Sequence, residues 1–115
     1  MYEPLVKPGT TVDVRCLGTT PETLLVKTLN VKIVRLFIPA GQTIPTHEAH
    51  GEVIFHCLEG RVSLAALGKT HELKAGQLSY FSINEPVSIQ GVEQASLVMT
   101  IIAPKLGQNV ELIGD

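Results

Sequence analysis

Short apolar runs rich in β-branched residues, each closed by glycine, proline or asparagine, fill most of this chain. Val31 to Ile38 (VKIVRLFI) predicts a strand that stops at Pro39-Ala40-Gly41. It is apolar on both faces, as expected of a strand covered on both sides by a second sheet or another subunit. Val53 to Leu58 predicts the next strand. Glu59-Gly60 reads as a turn, with Arg61 to Leu67 returning from it as a hairpin. Leu67-Gly68-Lys69 turns again and Thr70 to Leu73 pairs back, before a turn at Lys74-Ala75-Gly76. Leu78 to Ile83 is a strand broken by Asn84-Glu85-Pro86; Val87 to Gln90 is a short one, and Ser96 to Ala103 a long one stopped by Pro104. Val110 to Ile113 predicts a last strand.

The first twenty residues are cut into short pieces by Pro4, Pro8, Gly9 and Gly18. Within them Val12 to Leu17 alternates like an edge strand. Thr20-Pro21-Glu22 has the form of a helix start, but no helical period follows it, so residues 24–28 are read as strand. Turn signals recur roughly every 8–12 residues and imply about eight to ten short strands, which predicts an all-β sandwich or barrel.

Length and charge narrow the partners. A chain of 115 residues predicts one domain, 1–115. Net charge is −2 with no run of Lys or Arg, which argues against nucleic acid and against an anionic membrane surface. No apolar run approaches a membrane span and the N-terminus lacks the pattern of a signal peptide, so a cytoplasmic protein is expected. Hydrophobic residues make up 44% of this short chain, which predicts an oligomer. Cys16 and Cys57 form no CxxC; the expectation is two reduced thiols packed as small hydrophobes.

Candidate chemistry concentrates between Gly41 and Gly60, which holds three of the four histidines: His47, His50 and His56. Pro39-Ala40-Gly41, Ile44-Pro45-Thr46-His47, Cys57-Leu58-Glu59-Gly60 and Leu73-Lys74-Ala75-Gly76 together resemble the cupin superfamily, above all its small single-domain bacterial members. The resemblance runs from about residue 24 to 104, with N-terminal and C-terminal strands adding to it. It implies a cupin-type double-stranded β-helix, a jelly-roll-like barrel, commonly dimeric, with a pocket inside. It does not fix an activity, because cupins include oxygenases, isomerases, storage proteins and sensors.

The resemblance also implies a metal site of three histidines and a glutamate. In register with the family motifs, Gly41, His47, Gly60 and Gly76 match. The second histidine falls on Ala49, the glutamate on Val53 and the last histidine on Val87, leaving His47 alone of four ligands. A displaced set of His47, His50 and Glu52, with His56 as a weak fourth member, would suit Fe, Mn, Ni or Zn, provided a bulge brings it together. Strand geometry separates Glu52 and His56 by about 13 Å, and strand parity sends Glu52, Ile54 and His56 outward if Val53, Phe55 and Cys57 face inward. His71, beside a hairpin turn, is read as an exposed strand residue.

Three readings follow. The favoured one is a barrel that binds a small molecule through His47, with Arg35, Tyr80 and Ser82, and has no cofactor. The alternative is a metal-dependent oxygenase or isomerase built on the displaced set. The third is a structural dimer whose barrel is filled by Phe55, Phe81 and Ile101.

Overall fold

The computed structural model describes residues 3–47, 51–82 and 85–103, with residues 45–47 described by their backbone alone. Nine strands follow in order among them: β1 (Glu22–Lys27), β2 (Val31–Ile38), β3 (Thr43–His47), β4 (Glu52–Glu59), β5 (Arg61–Ala66), β6 (Lys69–Lys74), β7 (Leu78–Phe81), β8 (Val87–Gly91) and β9 (Ala95–Ile102). They form two antiparallel sheets, one of order β1-β2-β9-β4-β7 and one of order β3-β8-β5-β6. From β2 onward the chain changes sheet at every connection except the β5–β6 hairpin. This is the double-stranded β-helix expected from the sequence, and among the described residues it has no helix.

Alternation decides what fills the space between the sheets. Val34, Leu36 and Ile38 of β2, Val53, Phe55 and Cys57 of β4, and Leu97 of β9 turn inward from one sheet. Val62, Leu64 and Ala66 of β5, Leu73 of β6, and Val87 and Ile89 of β8 turn inward from the other. Phe55 and Phe81 meet edge to face, with ring centroids 5.9 Å apart. Each aliphatic side chain buried this way is worth about 1.5–3 kcal/mol relative to exposure, so the interlocked faces dominate stability.

Several expected elements differ. Glu59-Gly60 does not close a hairpin: β4 and β5 lie in different sheets, and Gly60 is the corner between them. Its φ is +74°, and a Cβ there would run into the Gln94 carbonyl oxygen and lie 2.8 Å from Ala95 Cα. Val12 to Leu17 is not a strand. The Asp13 carboxylate accepts the Arg15 backbone N–H at 3.0 Å, and the Asp13 carbonyl accepts that of Cys16 at 3.0 Å, so local turn chemistry overrides the alternation. β3 was not foreseen, because Pro45 interrupts it; proline is tolerated there since β3 is an edge strand. No helix starts at Thr20, and β1 begins at Glu22. β7 ends at Phe81 rather than at residue 83, and residues 110–113 lie outside the described residues. Cys16 is exposed, so only Cys57 is packed as a small hydrophobe.

The tight turn of the β5–β6 hairpin offers a control for the corner. Gly68 has the same φ of +74° but nothing near its missing Cβ. Gly68→Ala is expected to cost about 1 kcal/mol for its backbone conformation alone, and Gly60→Ala at least about 2 kcal/mol more, because the corner must also open. Urea denaturation of the two variants checks this, and equal losses would refute the corner contact.

Candidate functional site

One end of the barrel, its mouth, is bounded by two facing rows of inward positions. One row crosses Phe81, Val53, Ile101 and Lys32 and ends on Lys27. The other crosses Lys69 and Ala66 and continues through Val87 to the backbone of His47, which is in register with Val87. Val53 and Val87 are each 6% exposed. The positions at which the family would place a glutamate and its last histidine are thus apolar and packed into the core.

His71 stands one row deeper, on edge strand β6. The two-residue turn pairs Ala66 with Lys69 and Leu64 with His71, so His71 shares the inward face of Leu64. Its ring stacks on Phe81 with centroids 6.1 Å apart and planes 24° apart, while its outer edge stays exposed. His71 is exposed, as read from the sequence, but it points toward the mouth. The signal was available: inward alternation of β5, carried across the Leu67-Gly68 turn, fixes the parity of β6. Lys32 and Lys69 were also overlooked. Both are exposed in the mouth rows, and neither forms an ion pair among the described residues.

The residues singled out from the sequence do not converge on this mouth. Tyr80 is paired with Ile54 and lies on the outer face of the five-stranded sheet, 56% exposed. There its hydroxyl pKa is raised, first by loss of water against the sheet and then by the charge and hydrogen bond of Glu52. Ser82 is exposed beyond the end of β7, where its backbone N–H donates to Glu85 Oε1 at 2.8 Å. Arg35 also lies on the outer face, between Thr23 of β1 and Val98 of β9, yet it is only 2% exposed. His47 is placed by its backbone alone, and its side chain lies outside the described residues.

The displaced ligand set depends on a bulge at the start of β4. That strand pairs with β9 without interruption from Glu52 to Cys57, and the irregularity comes later, between Cys57 and Glu59. Glu52 and exposed His56 therefore remain on the face opposite Val53, Phe55 and Cys57, turned away from the barrel interior. His50 lies outside the described residues. Neither ligand set fits a barrel-centre ion at the positions described: the family set has valines at two ligand positions, and the displaced set has two members on the wrong face.

Cys57 faces the interior with no basic partner among the described residues. Its thiol donates toward the carbonyls of Glu59 at 3.3 Å and Gly60 at 3.6 Å, and burial raises its pKa against the opposing effect of the Glu59 hydrogen bond. A raised pKa leaves it as unreactive thiol. Titration of the native protein with a disulfide thiol reagent is expected to label one cysteine, exposed Cys16, and a second only after denaturation. Fast labelling of both in native buffer would contradict the packing of Cys57.

No protein-family profile and no curated protein matches the sequence. Solved structures do match. A conserved Streptococcus pyogenes protein of unknown function superposes with a TM-score of 0.77 at 17% identity, over 91% of this chain and 96% of that one. A cupin superfamily protein of Desulfitobacterium hafniense gives 0.76 at 11% identity, over 90% and 99%. An RmlC-like cupin from Methanocaldococcus jannaschii, with a double-stranded β-helix fold, gives 0.71 at 19% identity, over 85% and 94%.

Proposed function

We propose that this chain, which has the cupin double-stranded β-helix fold, is a small-molecule-binding barrel without the metal centre of that fold's enzymes. The observation that carries the reading is the pair of buried valines, Val53 and Val87, at two of the four ligand positions. An apolar floor of Val53, Val87 and Phe81 suits the hydrophobic body of a ligand. The exposed edge of His71 can supply a directional hydrogen bond. Lys32 and Lys69 at the rim favour an acidic group on the same molecule, because exposed cations without partners attract an anion at little desolvation cost. The ligand class is a small organic acid with an apolar body.

Metal analysis and a probe pair test this. Protein purified without chelator is expected to carry far less than one equivalent of transition metal; stoichiometric metal that vanishes in His47→Ala would overturn the reading in favour of a metal-dependent enzyme. In methyl NMR, p-toluate is expected to shift the Val53 and Val87 resonances more than uncharged p-cresol does. Lys69→Gln is expected to reduce the acid's advantage by about twofold to fivefold, the worth of one exposed charge. His71→Ala is expected to weaken both probes by about threefold to tenfold, the worth of one hydrogen bond. A barrel filled solid by its own side chains would show no shift with either probe.

The outer face of the five-stranded sheet supports the expected homodimer. Leu78, Tyr80 and Ile102 are exposed there, beside half-buried Ile54. A second copy laid over them would bury an apolar patch that water otherwise covers. Leu78→Asp is expected to halve the mass measured by light scattering with the fold intact, and a wild-type protein that is already monomeric rules the dimer out.

A further inference from the structure

Arg35 is the largest electrostatic anomaly among the described residues. It is 2% exposed, and Nη2 donates to Ser96 Oγ at 3.1 Å, with Ser96 itself 2% exposed. The guanidinium carbon lies 5.6 Å from the Phe37 ring centroid. Nε and Nη1 are buried and have no acceptor, and no carboxylate pairs with the group among the described residues. A guanidinium keeps its charge in any protein environment and carries five N–H donors in a rigid fork. One hydroxyl and one aromatic face leave most of that capacity unused, and an uncompensated buried charge costs several kcal/mol.

The position of this group is unusual for a buried cation. Arg35 and Ser96 sit on the outer face of the five-stranded sheet, away from the barrel core. The chain ahead of β1 is tied to this side of the sheet at both ends. The Leu5 and Val6 N–H groups donate to Leu24 and Leu25 at one end of β1, and the Phe37 N–H donates to the Pro21 carbonyl at the other. The intervening strap alternates half-buried Val12 and Val14 with exposed Asp13 and Arg15. Arg15 feels the charge of Glu59, which stands in the same cross-strand row as Ser96 and Phe37.

We propose that Arg35 and Ser96 form a buried carboxylate-binding site between the five-stranded sheet and this N-terminal strap. A carboxylate accepts two parallel N–H bonds from a guanidinium fork, and its single negative charge neutralises the single positive one. A phosphate would leave excess charge among Leu25, Phe37 and Val98, which disfavours it. The ligand is a small monocarboxylic acid, and the strap must lift to admit it. This site is on the opposite side of the sheet from the barrel mouth and does not depend on the reading of the mouth.

The test reads the guanidinium directly. Arginine Nε–H resonances of the wild-type protein are followed while sodium acetate replaces sodium chloride at constant ionic strength. A four-atom ligand binds no tighter than tens of micromolar, so a titration to about 50 mM covers the range. The resonance that is missing from Arg35→Lys is expected to move saturably with acetate, while those of Arg15 and Arg61 follow only the bulk salt. Acetate is also expected to raise the wild-type Tm by about a few degrees, an increase lost in Arg35→Met and reduced in Ser96→Ala. If the Arg35 resonance does not respond to acetate beyond the chloride control, the proposal is wrong. Should Arg35→Met fail to fold, the wild-type spectrum and Ser96→Ala still decide.

Discussion

Inward-facing apolar side chains from two sheets of unequal width hold this barrel together, and their alternation governs everything else. Once Val53, Phe55 and Cys57 of β4 are locked against Val62, Leu64 and Ala66 of β5, no other side-chain orientation is open to their neighbours. A slip of β4 by one residue would bury Glu52 and His56 and expose Val53, Phe55 and Cys57, a cost comparable with the whole stability of a domain this size. Chemistry at the barrel centre is therefore limited to what the inward positions carry. Among the described residues these are mostly aliphatic, aromatic and thiol groups, with polar side chains at Ser79 of β7 and, toward the rim, at His71, Lys32 and Lys69.

The same parity collects the polar groups of the five-stranded sheet on its outer side. Glu52, His56, Arg35, Ser96 and Tyr80 all stand there. On β2 and β9 Arg35 and Ser96 are buried; on β7 Leu78 and Tyr80 are exposed.

Much of the fold was legible because period-two alternation and Gly/Pro punctuation are local signals. β2, β4, β5, β6 and β9 were all readable from their own residues, and so was the outward parity of His56. Sheet membership was not readable in the same way. Glu59-Gly60 looks like a hairpin turn in sequence, and only the packing of Gly60 against Gln94 and Ala95 makes it a corner between sheets. The site was legible where it depended on register, as with Val53 and Val87. It was also legible, one step removed, at His71, where the alternation of β5 has to be carried across a turn, and illegible at Arg35, where it depended on what covers the outer face. A buried arginine within an apolar strand announces an anomaly, but nothing in VKIVRLFI states whether the core or an N-terminal strap encloses it.

The valines at 53 and 87 are also consistent with each other. A carboxylate at 53 would sit in a position only 6% exposed, and without an ion to neutralise it the group would cost several kcal/mol or be driven to protonate. A histidine at 87 would face the same apolar surroundings and lose its charge by desolvation. Two valines turn that liability into packing worth about 1.5–3 kcal/mol each. Replacing only one member of a ligand set leaves a buried polar residue with nothing to bind; replacing two gives a core that is stable by itself. Arg35 breaks this pattern: it is the one charged side chain among the buried described residues, and it lies on the face the core does not use. A fold that removes polar groups so thoroughly from its interior has little structural reason to bury a guanidinium under a separate strap, whereas a ligand bearing a carboxylate supplies one.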